Sequence, residues 1–195
     1  MRIILASKSP RRRQLLREVF QDFEIITRET DESFPADIHP RDGVVILAER
    51  KGRAVADEVG EDALVISSDT LVELGGAPLG KPTDEADAER MLSELSGKSH
   101  NVHTGVAVHY RGRAYSGVDS TAVHFREISK DEILAYIASG EPMDKAGSYA
   151  IQGLGGAFVT GYTGDYDTVV GLSVRLTREL IAKALEDENV NKRNT

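Results

Sequence analysis

The chain has 195 residues, with 24 Lys and Arg against 32 Asp and Glu, a formal net charge of −8 and no cysteine. That length suits one domain or two lobes sharing a sheet, and the acidic balance argues against a surface that coats nucleic acid. Absent cysteine excludes disulfides and thiolate metal sites and fits a reducing compartment. No apolar run approaches a membrane span and the N-terminus reads as a strand entering a helix, so a cytoplasmic protein with no membrane partner is expected.

Ile3 to Ala6 form an apolar run of buried-strand length. Ser7-Lys8-Ser9 is the turn; Ser9 suits an N-cap and Pro10 the first helical position. Leu15, Leu16, Val19 and Phe20 recur at helical spacing. Arg11, Arg12 and Arg13 occupy the first turn, the positive end of the helix dipole, at a cost of roughly a few tenths of a kcal/mol per charge unless something neutralises them. A strand, a serine turn and added arginines make an anion site of the kind phosphates occupy; the alternative is a solvated basic turn. In an acidic chain, a polyphosphate site must concentrate positive charge locally and recruits a metal ion.

Phe23, Ile25 and Ile26 predict a second short strand, followed by a loop holding Asp31, Glu32 and Ser33, carboxylates that solvent could equally explain. Arg41 to Val59 predicts a helix with Val44, Leu47, Ala48, Lys51 and Val55 on one stripe. Lys51 on that inward face either snorkels out or aims its ammonium into a cleft. Ala63 to Ile66 reads as a strand buried on both faces that delivers Asp69 beyond its carboxyl end, where ligands bind in open α/β sheets. There a carboxylate can bind a hard cation, act as a base, or simply turn the chain. Leu71 to Leu74, a Gly75-Gly76 hairpin turn and Gly80-Lys81-Pro82 follow; Lys81 is a plausible phosphate contact, without P-loop spacing.

Thr83 opens an acidic first turn of a helix that buries Ala88, Met91, Leu92 and Leu95. Three strands are expected next, Val102 to Tyr110, Ala114 to Val118 and Thr121 to Phe125, with Arg111-Gly112-Arg113 as the first hairpin turn. His100 and His103 fall on opposite faces of a strand and make no metal pattern. Ser129 to Glu132 is a capping box for a helix burying Ile133, Leu134 and Ile137. Gly140 to Gly156 holds five glycines in 17 residues, a permissive loop region in which Gln152 could meet the edge of a nucleobase or cap backbone. Ala157 to Val159 reads as a strand, Gly164 to Gly171 as a turn and run, and Leu172 to Leu185 as a long amphipathic helix; residues 186–195 read as a frayed tail.

These stretches together resemble the Maf family, the septum-formation-inhibitor-like nucleoside triphosphate pyrophosphatases. The resembling motifs run in order: Leu5 to Leu16, Asp31-Glu32-Ser33, Leu47-Ala48 with Lys51, Ser68-Asp69-Thr70, Gly80-Lys81-Pro82, Thr104-Gly105-Val106, Glu141-Pro142, Asp144 to Gly147, Ile151-Gln152-Gly153 and Val170-Gly171-Leu172. The resemblance implies an α/β fold with a mixed twisted sheet and flanking helices, inosine-triphosphate-pyrophosphatase-like, as one domain over 1–195 with two lobes around a deep cleft. It also implies homodimers, and metal-dependent hydrolysis of a nucleoside triphosphate substrate to monophosphate and pyrophosphate. Carried over by motif, Ser7, Arg11, Arg12, Lys51 and Lys81 resemble the triphosphate-binding set, with Lys51 and Lys81 also in the catalytic set. Glu32 and Asp69 resemble the acidic pair around Mg²⁺ or Mn²⁺ and water, with Asp69 as proton acceptor. Arg12, Thr70 and Gln152 match the dTTP/UTP subgroup. A 7-methyl-GTP or noncanonical-purine pyrophosphatase and a non-catalytic, nucleotide-binding division regulator remain as alternatives. Three positions depart from the family pattern: Arg13 adds a cation, Gly52 replaces Ala, and Ser173 replaces a proline, which predicts a less fixed start to the last helix.

Overall fold

A computed structural model describes the backbone of residues 1–193, with side chains through Glu188. The first strand, β1 (Arg2–Leu5), runs through the serine turn into α1 (Pro10–Leu16) and returns as β2 (Glu24–Ile25), parallel to β1. Val19 and Phe20 fall beyond α1, in a closing turn whose N–H groups both reach the Leu16 carbonyl, so the helix is shorter than its apolar spacing predicts. Helix α2 (Pro40–Val59) then leads to β3 (Ala63–Leu74), which pairs parallel with the other side of β1. Thus β1 lies between β2 and β3, all three parallel, and the order in which the chain adds strands reverses there.

The seven-stranded mixed sheet has the order β2-β1-β3-β5-β6-β7, with β4 paired to β3. The later strands are β4 (Ala77–Leu79), β5 (Ser99–Tyr110), β6 (Arg113–Phe125) and β7 (Val159–Thr163). The other helices are α3 (Glu85–Leu95), α4 (Lys130–Ala138), α5 (Tyr166–Val170) and α6 (Val174–Arg193). The mixed α/β class is as expected. Contacts divide the chain into a first unit, Met1–Asp69 with Thr104–Asp119 and Gly171–Thr195, and a second, Thr70–His103 with Ser120–Val170. Among the described residues no helix is long and apolar enough to cross a membrane.

In the first unit, Ile4, Ala6, Val55, Ala63 and Val65 form a buried cluster between the parallel strands and α2. The second unit's core gathers Leu92, Leu95, Val102 and Val123 around an aromatic group. Phe125 sits edge-on to His100, Tyr149 and Phe158, with ring centroids 4.9, 4.7 and 6.0 Å away. Each fully buried aliphatic side chain here contributes about 1.5–3 kcal/mol.

Several expectations change on folding. The two strands expected over 114–125 are one, β6, because the polar break at Asp119-Ser120 is absorbed by partners. Ser120 Oγ meets His103 Nδ1 at 2.7 Å, and Asp119 bonds Ser173 and Arg175. Helix α3 is capped by Asp84, which accepts from Asp87 N at 2.8 Å, one residue after the expected Thr83. On α4, Tyr136 joins Ile133 and Ile137 inside while Leu134 is exposed, since it lies off their i, i+3, i+4 stripe. Ala157 and Phe158 close a 3-10 turn, and the strand starts at Val159, opposite Phe125. The run before Gly171 contains α5, a short helix. The Ser129 capping box forms as read, and so do the Gly75-Gly76 and Arg111-Gly112 turns, whose four residues have positive φ.

Two family departures find their reasons here. An Ala methyl at Gly52 would stand 2.5 Å from the His109 ring and from Ser67 Oγ, so the side chains of Ser67 and His109 fill that space instead. Ser173 does not loosen the last helix: its Oγ accepts from Leu176 N at 3.1 Å and donates to Asp119, capping α6 and tying it to β6. The polar tail begins anchored as well, Asp187 by Tyr115 at 2.9 Å and Glu188 by Tyr110 at 3.1 Å. Residues 194–195 of the expected frayed tail lie outside the described residues.

His100 makes the stability of the fold depend on pH. Its Nε2 meets Tyr149 Oη at 2.8 Å, and its buried Nδ1 has no hydrogen-bond partner among the described residues. Burial, aided by the charge of His124, lowers its pKa from 6.5 to about 4. The unfolded chain therefore binds this proton first, and stability is lost as pH falls from 6.5 towards 4. By pH 5 the loss is about 2 kcal/mol. Urea midpoints at pH 7 and pH 5 should show a smaller difference in His100→Gln than in the parent; equal differences would remove His100 from the titration.

Candidate functional site

The parallel ladder ends at Leu5 opposite Ile66, with one further bond from Ala6 N to Ile66 O at 2.8 Å. Beyond that end lie Ser7 on one strand's exit and Asp69 on the other, at the switch point where α/β sheets bind ligands. Asp69 itself remains within β3, since the strand continues to Leu74; it lies past the parallel part only, not past the strand.

Local bonds shape the first turn. Ser7 Oγ accepts from Ser9 N at 3.3 Å, and Ser9 Oγ accepts from Arg12 N at 3.4 Å, so Ser9 is the N-cap. Arg12 then folds inward. Its Nε donates to Gly171 O at 2.9 Å and one terminal nitrogen to Ser68 O at 2.5 Å, while Ser68 Oγ donates to the same Gly171 carbonyl at 2.7 Å. Burial lowers the Arg12 pKa, Asp69 and Glu32 oppose that, and neighbouring Arg11 adds to it. Arginine remains a cation under such shifts. The structure thus makes Arg12 an anchor between α1, β3 and the approach to α6, a role its place in the motif did not reveal.

Lys51 is aimed inward. Its Nζ donates to Glu32 Oε1 at 2.8 Å and to Asp69 Oδ1 at 2.5 Å. Asp69 is 8 % exposed, whereas Glu32 is exposed on its loop. That loop is held by its own Asp31 and Ser33 and by Arg50, which sequence reading passed over. Asp31 accepts from Ser33 N at 2.9 Å and from its hydroxyl at 2.8 Å, bonds that chiefly hold its carboxyl below the usual range. Arg50 donates to the carbonyls of Asp31 and Ser33 at 2.5 and 2.8 Å. Arg50 precedes Lys51 on α2, so one helix turn secures both the loop and its carboxylate. Arg50 stands outside the resembling motifs, and its place next to Lys51 was the available signal.

The remaining residues belong to the second unit. Thr70 follows Asp69 on β3 and is half-buried; Lys81 and Gln152 are exposed. Gly80, before Lys81, accepts from Gly147 N at 3.0 Å. Gly147 has φ +66°, and a Cβ there would come within 2.8 Å of Val72, so glycine lets this loop lie against β3.

A parallel βαβ core with three cations and two carboxylates at its switch point defines an α/β protein with a charged site at the ends of its strands. The chain belongs to the Maf-like protein family, whose profile matches residues 2–184. It is 47% identical over 179 residues to a dTTP/UTP pyrophosphatase of Thermococcus kodakarensis, covering 91% of this chain and 94% of that one. It is 49% identical over 180 residues to a dTTP/UTP pyrophosphatase of Bacillus cereus strain AH187, covering 92% and 94%. Among solved structures it is similar to the Staphylococcus aureus Ham1 protein, at 17% identity and a TM-score of 0.43 over 63% of this chain and 72% of that one.

Proposed function

We propose that this protein hydrolyses nucleoside triphosphates to the monophosphate and pyrophosphate, prefers dTTP and UTP, and requires a divalent metal. The observation that carries the reading is the Lys51 ammonium held between Glu32 and Asp69, beside Arg11 and Arg12. Three cations against two carboxylates leave this point net positive in a chain of net charge −8, which suits a polyphosphate. The pyrophosphatase activity is further supported by the two relatives near half identity, whose names state it.

Glu32 and Asp69 are the hard oxygen donors that would hold the cation, and Lys51 Nζ, which both now pair with, would turn from them to phosphate. Held by them, Mg²⁺ or Mn²⁺ would supply charge neutralisation at phosphate oxygens. The protein's own groups do the rest. Arg11, Lys51 and Lys81 hold the phosphates and offset charge moving onto the leaving pyrophosphate, and Arg12 keeps the turn in place. Asp69 accepts a proton from the water that attacks the α-phosphorus. Thr70 and Gln152 face the base, where a neutral amide can both donate and accept.

Pyrophosphate release from dTTP, UTP, CTP, GTP, ITP and 7-methyl-GTP, with Mg²⁺ or Mn²⁺ and with chelator, tests each part. Expected is release strongest on dTTP and UTP and abolished by chelator. A different preferred base would discard the specificity reading, chelator-resistant turnover the metal, and no release with any nucleotide the enzyme itself.

A further inference from the structure

Glu141 is singled out by its motif yet has no part in the chemistry above. Its carboxylate is the centre of a clasp around one loop. Oε2 accepts from Leu154 N at 3.0 Å; Oε1 accepts from Gly155 N at 3.1 Å and from the Tyr136 hydroxyl at 2.8 Å. The same Tyr136 oxygen accepts from Ala150 N at 3.2 Å. The loop is therefore gripped before and after Gln152, and Gly153 N closes it internally on Ala150 O at 3.1 Å. The grip leaves no room for a side chain at Gly153 or Gly155. A Cβ at Gly153 would stand 2.3–2.5 Å from the Glu141 carboxylate, and one at Gly155 would stand 2.7 Å from the Tyr136 hydroxyl. Burial pushes the carboxyl up, but the two N–H groups and the tyrosine outweigh it and hold it below the usual range.

From Ala150 to Ala157 the loop carries one polar side chain, Gln152, and presents it exposed. Three donors converge on this one carboxylate, and such charge-assisted bonds are roughly twice as strong as neutral ones, so they hold the backbone of the loop firmly. We propose that Glu141, acting with Tyr136, is a positioning residue for base selection: it fixes the backbone on both sides of Gln152 and so the direction of its amide. This rests on the reading that Gln152 meets the base. The carboxylate touches no substrate; it works through main-chain N–H groups.

Three variants separate this role from a merely structural one: Glu141→Gln, Tyr136→Phe and Gln152→Ala. Glu141→Gln keeps the shape but replaces one acceptor oxygen with a donor, which must face an N–H or the Tyr136 hydroxyl. The readouts are the ratio of kcat/KM between the best and second-best nucleotides of the panel, and hydrogen exchange at the amides of 150–155. Expected for Glu141→Gln and Tyr136→Phe is a ratio lowered about tenfold, the size that loss of a charged hydrogen bond gives, with faster exchange confined to this loop. Gln152→Ala should lower the ratio similarly without changing exchange. If Gln152→Ala lowers the ratio and neither clasp variant does, the proposal is overturned while the reading of Gln152 stands. If Gln152→Ala leaves the ratio unchanged, the reading of Gln152 falls and the positioning role falls with it. Unchanged exchange in both clasp variants would also overturn it.

Discussion

Asp69→Asn should reduce kcat for pyrophosphate release by about 10²–10⁴-fold, the range that loss of a positioned acid–base group gives. The substitution keeps the side chain's shape and removes its charge and its capacity to take a proton. Lys51 loses one of two carboxylates but retains Glu32 at 2.8 Å, so the ammonium is not left buried and alone. Removal of a sole partner would be far more destabilising. The circular dichroism spectrum should therefore match the parent. Nucleotide should still bind, since Arg11, Lys51 and Lys81, the proposed phosphate contacts, are unchanged. Steady-state turnover and calorimetric binding are the measurements. Near-normal turnover would remove Asp69 from the chemistry, whereas lost turnover with lost folding would make it a structural residue.

Gly105→Ala should destabilise the protein by about 3 kcal/mol, an overpacking cost at the upper end of the usual range. A methyl at Gly105 would lie 2.5 Å from the Val44 carbonyl oxygen, 2.8 Å from its carbon and 3.0 Å from Val45 N. These are backbone atoms of α2, and no rotamer change moves them aside. Strand β5 and helix α2 must separate, and α2 carries Lys51. The thermal midpoint should fall by roughly 6–12 °C for a chain of this size, and kcat should fall with it below the midpoint. An unchanged midpoint would show that the two elements have space to spare. At Gly52, by contrast, the atoms in the way belong to the side chains of His109 and Ser67 and not to backbone.

The features legible in the sequence were local ones. Ser9-Pro10, the Ser129 capping box and the two glycine turns act through bonds that span three or four residues, so their residues announce them. The inward stripe of α2 was legible for the same reason, including Lys51 on the buried face. Misread boundaries came from elements whose extent is set by distant partners. Strand β6 crosses Asp119-Ser120 because His103, Ser173 and Arg175 satisfy those side chains. The expected weak start of α6 is firm because Ser173 reaches Asp119.

At the site the division is similar. Sequence alone determined the family motifs, the net charge and which residues carry cations and carboxylates, because identity and spacing are properties of the chain. Tertiary structure decided that Lys51 is shared between Glu32 and Asp69, that Arg12 is spent partly on the Ser68 and Gly171 carbonyls, and that Glu141 grips the loop of Gln152. Those pairings join residues up to 159 positions apart, and only the packed strands and helices bring their polar atoms within hydrogen-bond reach.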